Sequence, residues 1–117
     1  MFITTAIIAV LLAMAFLAAG LPKIARRESS VAQADHLGVP RGINRGIGGL
    51  EILGALGVVA GLWSAWLGVA AGIGLTLLMI GALGSHVRAK DPGKAIAPAA
   101  VFGLIAVVYV VLRAATA

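Results

Sequence analysis

Four long apolar stretches, separated by short polar segments, set the pattern of this chain. The first, residues 1–22, carries no charged side chain and ends near Pro22 and Lys23. A membrane span needs about 20 apolar residues at 1.5 Å each, so this run predicts a first transmembrane helix. A cleaved signal peptide is the competing reading, with Ala18-Ala19-Gly20 as its exit. It is disfavoured because no basic side chain precedes Lys23 and the apolar run exceeds the usual 7–15 residues.

Residues 52–85 again contain no charge and are too long for one span. They divide at Gly61-Leu62-Trp63-Ser64-Ala65-Trp66, where two tryptophans flank a turn-like pair. Tryptophan favours the headgroup level, so a tight hairpin at the bilayer surface is expected. The second and third spans then cover about 46–62 and 65–86. A fourth covers about 96–112, with Pro98 in its first turn and Tyr109 and Arg113 as anchors near its far end. The second span, short at about 17 residues, predicts little tilt or a thinned local bilayer.

Between the first two spans the pattern breaks. Ser30-Val31-Ala32-Gln33 has the form of a capping box, and Gly38 that of a C′ glycine before Pro40. A short interfacial helix over 31–37 fits. The fold class expected is all-α: a single domain over 1–117, an integral membrane four-helix bundle with that short helix between spans one and two.

Composition agrees. Hydrophobic residues make up 62% of the 117 residues and charged residues 11%, with a mean hydropathy of +1.11. Soluble domains average about 45–50% and 25%. The absence of cysteine removes disulfides, thiolate metal sites and thiol redox chemistry. The net charge of +5 reads as membrane topology, since no basic face with interleaved aromatics is present to bind nucleic acid. Lys23, Arg26, Arg27, Arg41, Arg45, Arg88, Lys90 and Lys94 fall on one side of the bilayer and Arg113 on the other. The positive-inside rule then makes the first side cytoplasmic and places both termini and the tryptophan hairpin outside.

This topology gathers candidate chemistry. Lys23 ends the first span, Glu51 lies five residues into the second, about 7–8 Å deep, and His86 and Arg88 end the third. The four form a candidate polar or ligand-binding cluster at one depth. Gly48, Gly54 and Ala55 share a helix face with Glu51, so the acid points into the bundle instead of toward lipid, where a charge is costly. Glu51 is either a structural ion pair with Lys23 or His86, or a site that binds a polar head or relays a proton with His86. His36 reads as a solvated loop residue. No metal site is expected, because no third ligand joins His86 and Glu51 at a regular spacing. Gly20, Gly48, Gly49, Gly54 and Gly57 read as helix-packing glycines, and Gly57/Gly61 and Gly68/Gly72, with Gly81 and Gly84, as tight internal packing ahead of a dimerisation face. Gly46-Ile47-Gly48-Gly49 lacks the strand and Gly-Lys-Ser/Thr of a phosphate loop.

Ala19-Gly20-Leu21-Pro22-Lys23-Ile24, His36-Leu37-Gly38-Val39-Pro40, Gly48-Gly49-Leu50-Glu51-Ile52-Leu53-Gly54-Ala55-Leu56-Gly57 and Met79-Ile80-Gly81-Ala82-Leu83-Gly84-Ser85-His86 resemble, in order and spacing, the DoxX-like membrane proteins. The family pattern falls on Gly20, Lys23, Gly49, Glu51, Gly54 and His86; Pro22 departs from it. The resemblance implies a four-helix protein of the bacterial inner membrane. It implies an association with quinol or thiosulfate oxidation or with redox-stress complexes. A more distant resemblance, to eukaryotic membrane chaperones of receptor assembly, implies a non-enzymatic role.

Three functions follow. The first is an accessory or binding subunit of a larger membrane complex that holds a lipid or quinone near Glu51. The second is a quinone-pocket component of an oxidoreductase, with Glu51 or His86 taking protons. This chain would not carry electrons itself, lacking cysteine and a haem-type histidine pair, and is not expected to be an enzyme alone. The third, ranked last, is a small proton-coupled transporter. Such transporters place their acid in the first span and line it with aromatics, whereas this chain has only two Trp, one Tyr and three Phe. The expected partners are membrane lipids, a larger complex or a second copy. No cofactor is firmly implied beyond a quinone or lipid.

Overall fold

A computed structural model describes residues 2–25 and 27–116, leaving aside the side chains of residues 29 and 41. Arg26 and the Arg41 side chain, two of the eight bases assigned to one side, therefore lie outside the described residues. So do the first residue of span one and the last of the chain. Five helices follow in order: α1 (Phe2–Ile24), α2 (Glu28–Leu37), α3 (Arg41–Ala60), α4 (Ala65–Arg88) and α5 (Gly93–Ala115). No strand occurs among the described residues.

Four of the helices are long and apolar enough to cross a membrane. At most 28% of any span's most apolar window is buried inside the bundle. The remaining apolar surface, including Ile3, Leu53, Leu77 and Leu104, faces outward. Water would not tolerate that much exposed hydrocarbon, whereas lipid does. The chain is a multi-pass membrane protein.

The helices overrun the apolar runs. Helix α3 begins at Arg41, five residues before its expected start, because Asn44 N–H already bonds the Pro40 carbonyl at 2.9 Å. Hydropathy marks the hydrocarbon core, while backbone hydrogen bonding continues into the interface. Helix α1 passes Pro22 and ends at Ile24, and α5 starts at Gly93, so Pro98 lies beyond its first turn. Helix α2 starts at Glu28 behind an Arg27 N-cap without a side-chain cap bond. The expected capping box is not formed, because the Ser30 hydroxyl sits inside the helix and accepts from Asn44 Nδ2 at 3.2 Å. At its other end the glycine reading agrees with the structure: Gly38 has φ 72°, and Val39 N–H reaches back to the Ala34 carbonyl at 2.9 Å.

Helices α1 and α3 pack together, as do α4 and α5; α3 against α4 and α1 against α5 close the ring. The core holds Leu12, Phe16, Val58, Leu75, Ala106 and Tyr109. Three seams rely on missing side chains. A Cβ on Gly20 would stand 2.7 Å from the Gly48 carbonyl oxygen, and one on Gly48 would stand 2.7 Å from the Lys23 Cβ. Along α3 and α4, Cβ atoms on Gly54, Gly57 and Gly61 would strike Leu75, Ala71 and Gly68. Those on Gly68 and Gly72 would strike Tyr109 and Val110. Close helix approach through small residues is the usual means of membrane packing. Gly49, expected among the packing glycines, meets nothing within 4 Å, because one residue's rotation of 100° carries it off the contact face. Gly81 and Gly84 are equally open.

Candidate functional site

The crossing at Gly20 and Gly48 places one turn of each helix side by side. Lys23 follows Gly20 by three residues and Glu51 follows Gly48 by three. Lys23 Nζ donates to Glu51 Oε1 at 2.5 Å. The Glu51 side chain is fully buried, whereas that of Lys23 is 21% exposed. The second carboxylate oxygen, Oε2, is buried and has no hydrogen-bond partner among the described residues. A buried acceptor left unpaired is costly, and such groups concentrate where a ligand or proton completes them.

His86, expected to share Glu51, instead bonds elsewhere. Its Nδ1 donates to Asp91 Oδ2 at 2.6 Å, and His36 Nε2 donates to Asp91 Oδ1, also at 2.6 Å. Depth along the bilayer was common to His86 and Glu51, but the rotation of each helix about its axis directs them to different partners. Arg88, the fourth member of the expected cluster, is exposed and donates from Nη2 to the Leu37 carbonyl at 2.9 Å. The cluster thus divides into a buried ion pair and a histidine–aspartate–histidine bridge.

The bridge depends on a main-chain turn. Helix α4 ends with Lys90 in the left-handed region, φ 58°. Lys90 N–H bonds the Val87 carbonyl and Asp91 N–H the His86 carbonyl, each at 3.0 Å. This is the glycine-type helix stop made with a lysine. It folds Asp91 back beneath His86. The hydrogen bonds from His36 first, then His86, hold the Asp91 carboxyl below its ordinary 3.8. Its ionised form is the acceptor, so in a neutral His86 ring Nδ1 carries the proton and Nε2 is a free acceptor. Asp91 and His36 are functional candidates that the spacing of residues did not reveal. His36 is solvated as expected, with a 57% exposed side chain, yet it is also paired. Among the described residues no group of three His, Asp or Glu side chains is disposed to hold a metal ion.

Beside these groups lies a cavity of about 270 Å³. Its polar wall comes from Lys23, Asn44, Ser85 and His86, with Gln33 of α2. Ile47, Leu77, Leu78 and Met79 supply an apolar wall. The DoxX-like family profile matches residues 7–109, which takes in both helix crossings and both polar sets.

The chain belongs to the DoxX-like family.

This DoxX-like protein is 36% identical over 81 residues to the Bacillus subtilis (strain 168) protein named "Uncharacterized protein YdgD". The match covers 68% of this chain and 71% of that protein. No solved structure matches the chain.

Tyr109 and Arg113, expected as interfacial anchors, are buried instead. Tyr109 Oη donates to the Val58 carbonyl and Arg113 Nε to the Gly61 carbonyl, both at 2.7 Å. Each meets a carbonyl at the C-terminal end of α3, where helix oxygens lack main-chain donors. These two residues of the DoxX-like bundle close the hairpin end.

Proposed function

We propose that this DoxX-like protein is a binding or accessory subunit of a membrane complex, holding the polar head of an amphiphile in the cavity beside Lys23 and His86. The observation that carries this reading is the cavity's mixed lining, polar at Lys23, Asn44 and His86 and apolar at Leu77 and Met79. An amphiphile matches both walls at once: hydrocarbon against the leucines, a polar head against the base and the imidazole. The free Nε2 of a neutral His86 favours a head that offers an O–H or N–H donor. A membrane lipid and a reduced quinone both meet that description. The excess of bases at this end supports an orientation with it at the cytoplasmic face of a bacterial inner membrane.

Purification in gentle detergent, followed by mass spectrometry of co-eluting lipids, quinones and proteins, tests the reading. The expected result is one amphiphile class retained stoichiometrically and lost in His86→Ala and Lys23→Ala, together with a stable protein partner. Bulk lipid in membrane proportions, unchanged by either substitution, would count against it. An antiparallel dimer that builds a new, acid-lined cavity between two copies would favour transport.

A further inference from the structure

Helix α2 is attached differently from the rest of the bundle. Of its described side chains only Ser30 and Ala34 are buried, one turn apart. Its polar ties among the described residues include Asn44 to Ser30 at 3.2 Å, Arg88 to the Leu37 carbonyl at 2.9 Å and His36 to Asp91 at 2.6 Å, and Asp35 is partnered too. Gln33, Ala34 and Leu37 nevertheless form one wall of the cavity. The chain leaves α2 through the left-handed Gly38. A short helix with little buried apolar area and a few side-chain bonds belongs to the low-stability end of a structure.

We propose that α2 is a lid over the cavity and that Asp91 is its latch, a positioning residue that grips His36 on the lid and His86 on the cavity wall at once. This rests on the reading of the cavity as a binding site. Asp91 fixes which His86 nitrogen is left for a ligand, and it does so while tying down the lid. Closure and the presentation of His86 are therefore one event. When the lid lifts, Asp91 loses the donor that leaves with His36. The latch has charged neighbours in the chain on every side: Asp35 next to His36 on α2, Arg88 and Lys90 at the end of α4, and Lys94 in the first turn of α5. From α1 and α3, Lys23 and Glu51 form their own pair.

The chain has no cysteine, so a single introduced thiol reports opening. Ala34, 2% exposed, is the site. The rate of maleimide labelling of Ala34→Cys in lipid nanodiscs is compared with the latch intact and with His36→Ala or Asp91→Asn added. Labelling about tenfold faster in both is expected, the scale of one charge-assisted hydrogen bond. Val58→Cys, at a fully buried position of α3, monitors global unfolding and is expected to label slowly throughout. Equal rates at Ala34→Cys overturn the lid, and so does a parallel rise at Val58→Cys. Retention of co-purified amphiphile is measured on the same latch variants, and a drop supports the coupling. Faster labelling with unchanged retention overturns the coupling of lid to ligand. If no amphiphile co-purifies with the intact protein, the binding reading fails, while the labelling rates still decide the lid.

Discussion

At the hairpin end of the bundle, Tyr109 and Arg113 meet terminal carbonyls of α3, and both side chains are buried. At the loop end, a fully buried carboxylate has one oxygen unpaired among the described residues, a base reaches it from a partly open position, and two histidines share one aspartate. All four Asp and Glu side chains belong to the loop half: Glu28, Asp35, Glu51 and Asp91. Both ends bury polar groups in a chain otherwise made of hydrocarbon. The hairpin end uses donors matched to backbone acceptors, which satisfies the helix terminus and leaves no ionisable acid. The loop end uses side chains matched to side chains beside a cavity. Polar burial of the first kind is explained by helix termination alone; burial of the second kind leaves a surplus of chemistry that packing does not require.

Four measurements sharpen that contrast. The largest effect is expected at the ion pair. Lys23→Met should strand the Glu51 carboxylate and destabilise the protein by about 3–5 kcal/mol, whereas the double variant Lys23→Met/Glu51→Leu should recover most of that loss. Unfolding in detergent with denaturant checks it, and a double variant no better than the single would break the comparison. Next is the crossing that builds the pair. Gly48→Ala should cost about 1–3 kcal/mol by pushing α1 away from α3, while the neighbouring Gly49→Ala, with open space around it, should be neutral or stabilising by up to about 1 kcal/mol. Thermal melting followed by circular dichroism separates the two. At the hairpin end, Tyr109→Phe should cost about 1 kcal/mol in the same assay by removing the donor to the Val58 carbonyl, with no change in retained amphiphile.

The smallest effect is the pH dependence of the latch. The folded Asp91 carboxyl titrates below its ordinary 3.8, so its contribution is complete above that value and is lost as pH falls through the lower folded one. Melting midpoints taken downward from pH 5 should therefore fall less steeply in Asp91→Asn than in the unsubstituted protein. Parallel slopes in the two proteins would show that Asp91 carries no linked stability.

Much of this architecture was legible because hydrocarbon must be covered by lipid over a fixed thickness. That constraint places four helices and the hairpin near Trp63 and Trp66 without reference to packing. It does not place helix ends, since α3 winds through Arg41-Gly42-Ile43-Asn44-Arg45 on backbone hydrogen bonds that hydropathy ignores. Depth and the glycines on its face made Glu51 legible as a buried acid with Lys23 or His86 as its partner, and the structure puts Lys23 there. The His86 partner was not, because depth leaves the azimuth of each helix open. Asp91 was hidden for a different reason: its position depends on a left-handed residue, and nothing about a lysine signals that conformation. Tyr109 and Arg113 resemble belt residues in composition, and only the observed acceptors on α3 show them to be buried plugs.

That lysine has a consequence for the stiffness of the connection between α4 and α5. A glycine at position 90 would adopt φ 58° without steric penalty and would visit many other conformations besides. Lys90 has fewer alternatives in the relaxed chain, so setting the turn costs less backbone entropy than it would for glycine, against a steric cost of about 1–2 kcal/mol for the left-handed region. The tether that carries Asp91 thus behaves as a bracket and not as a string, and a pull on one imidazole is transmitted to the other with little slack.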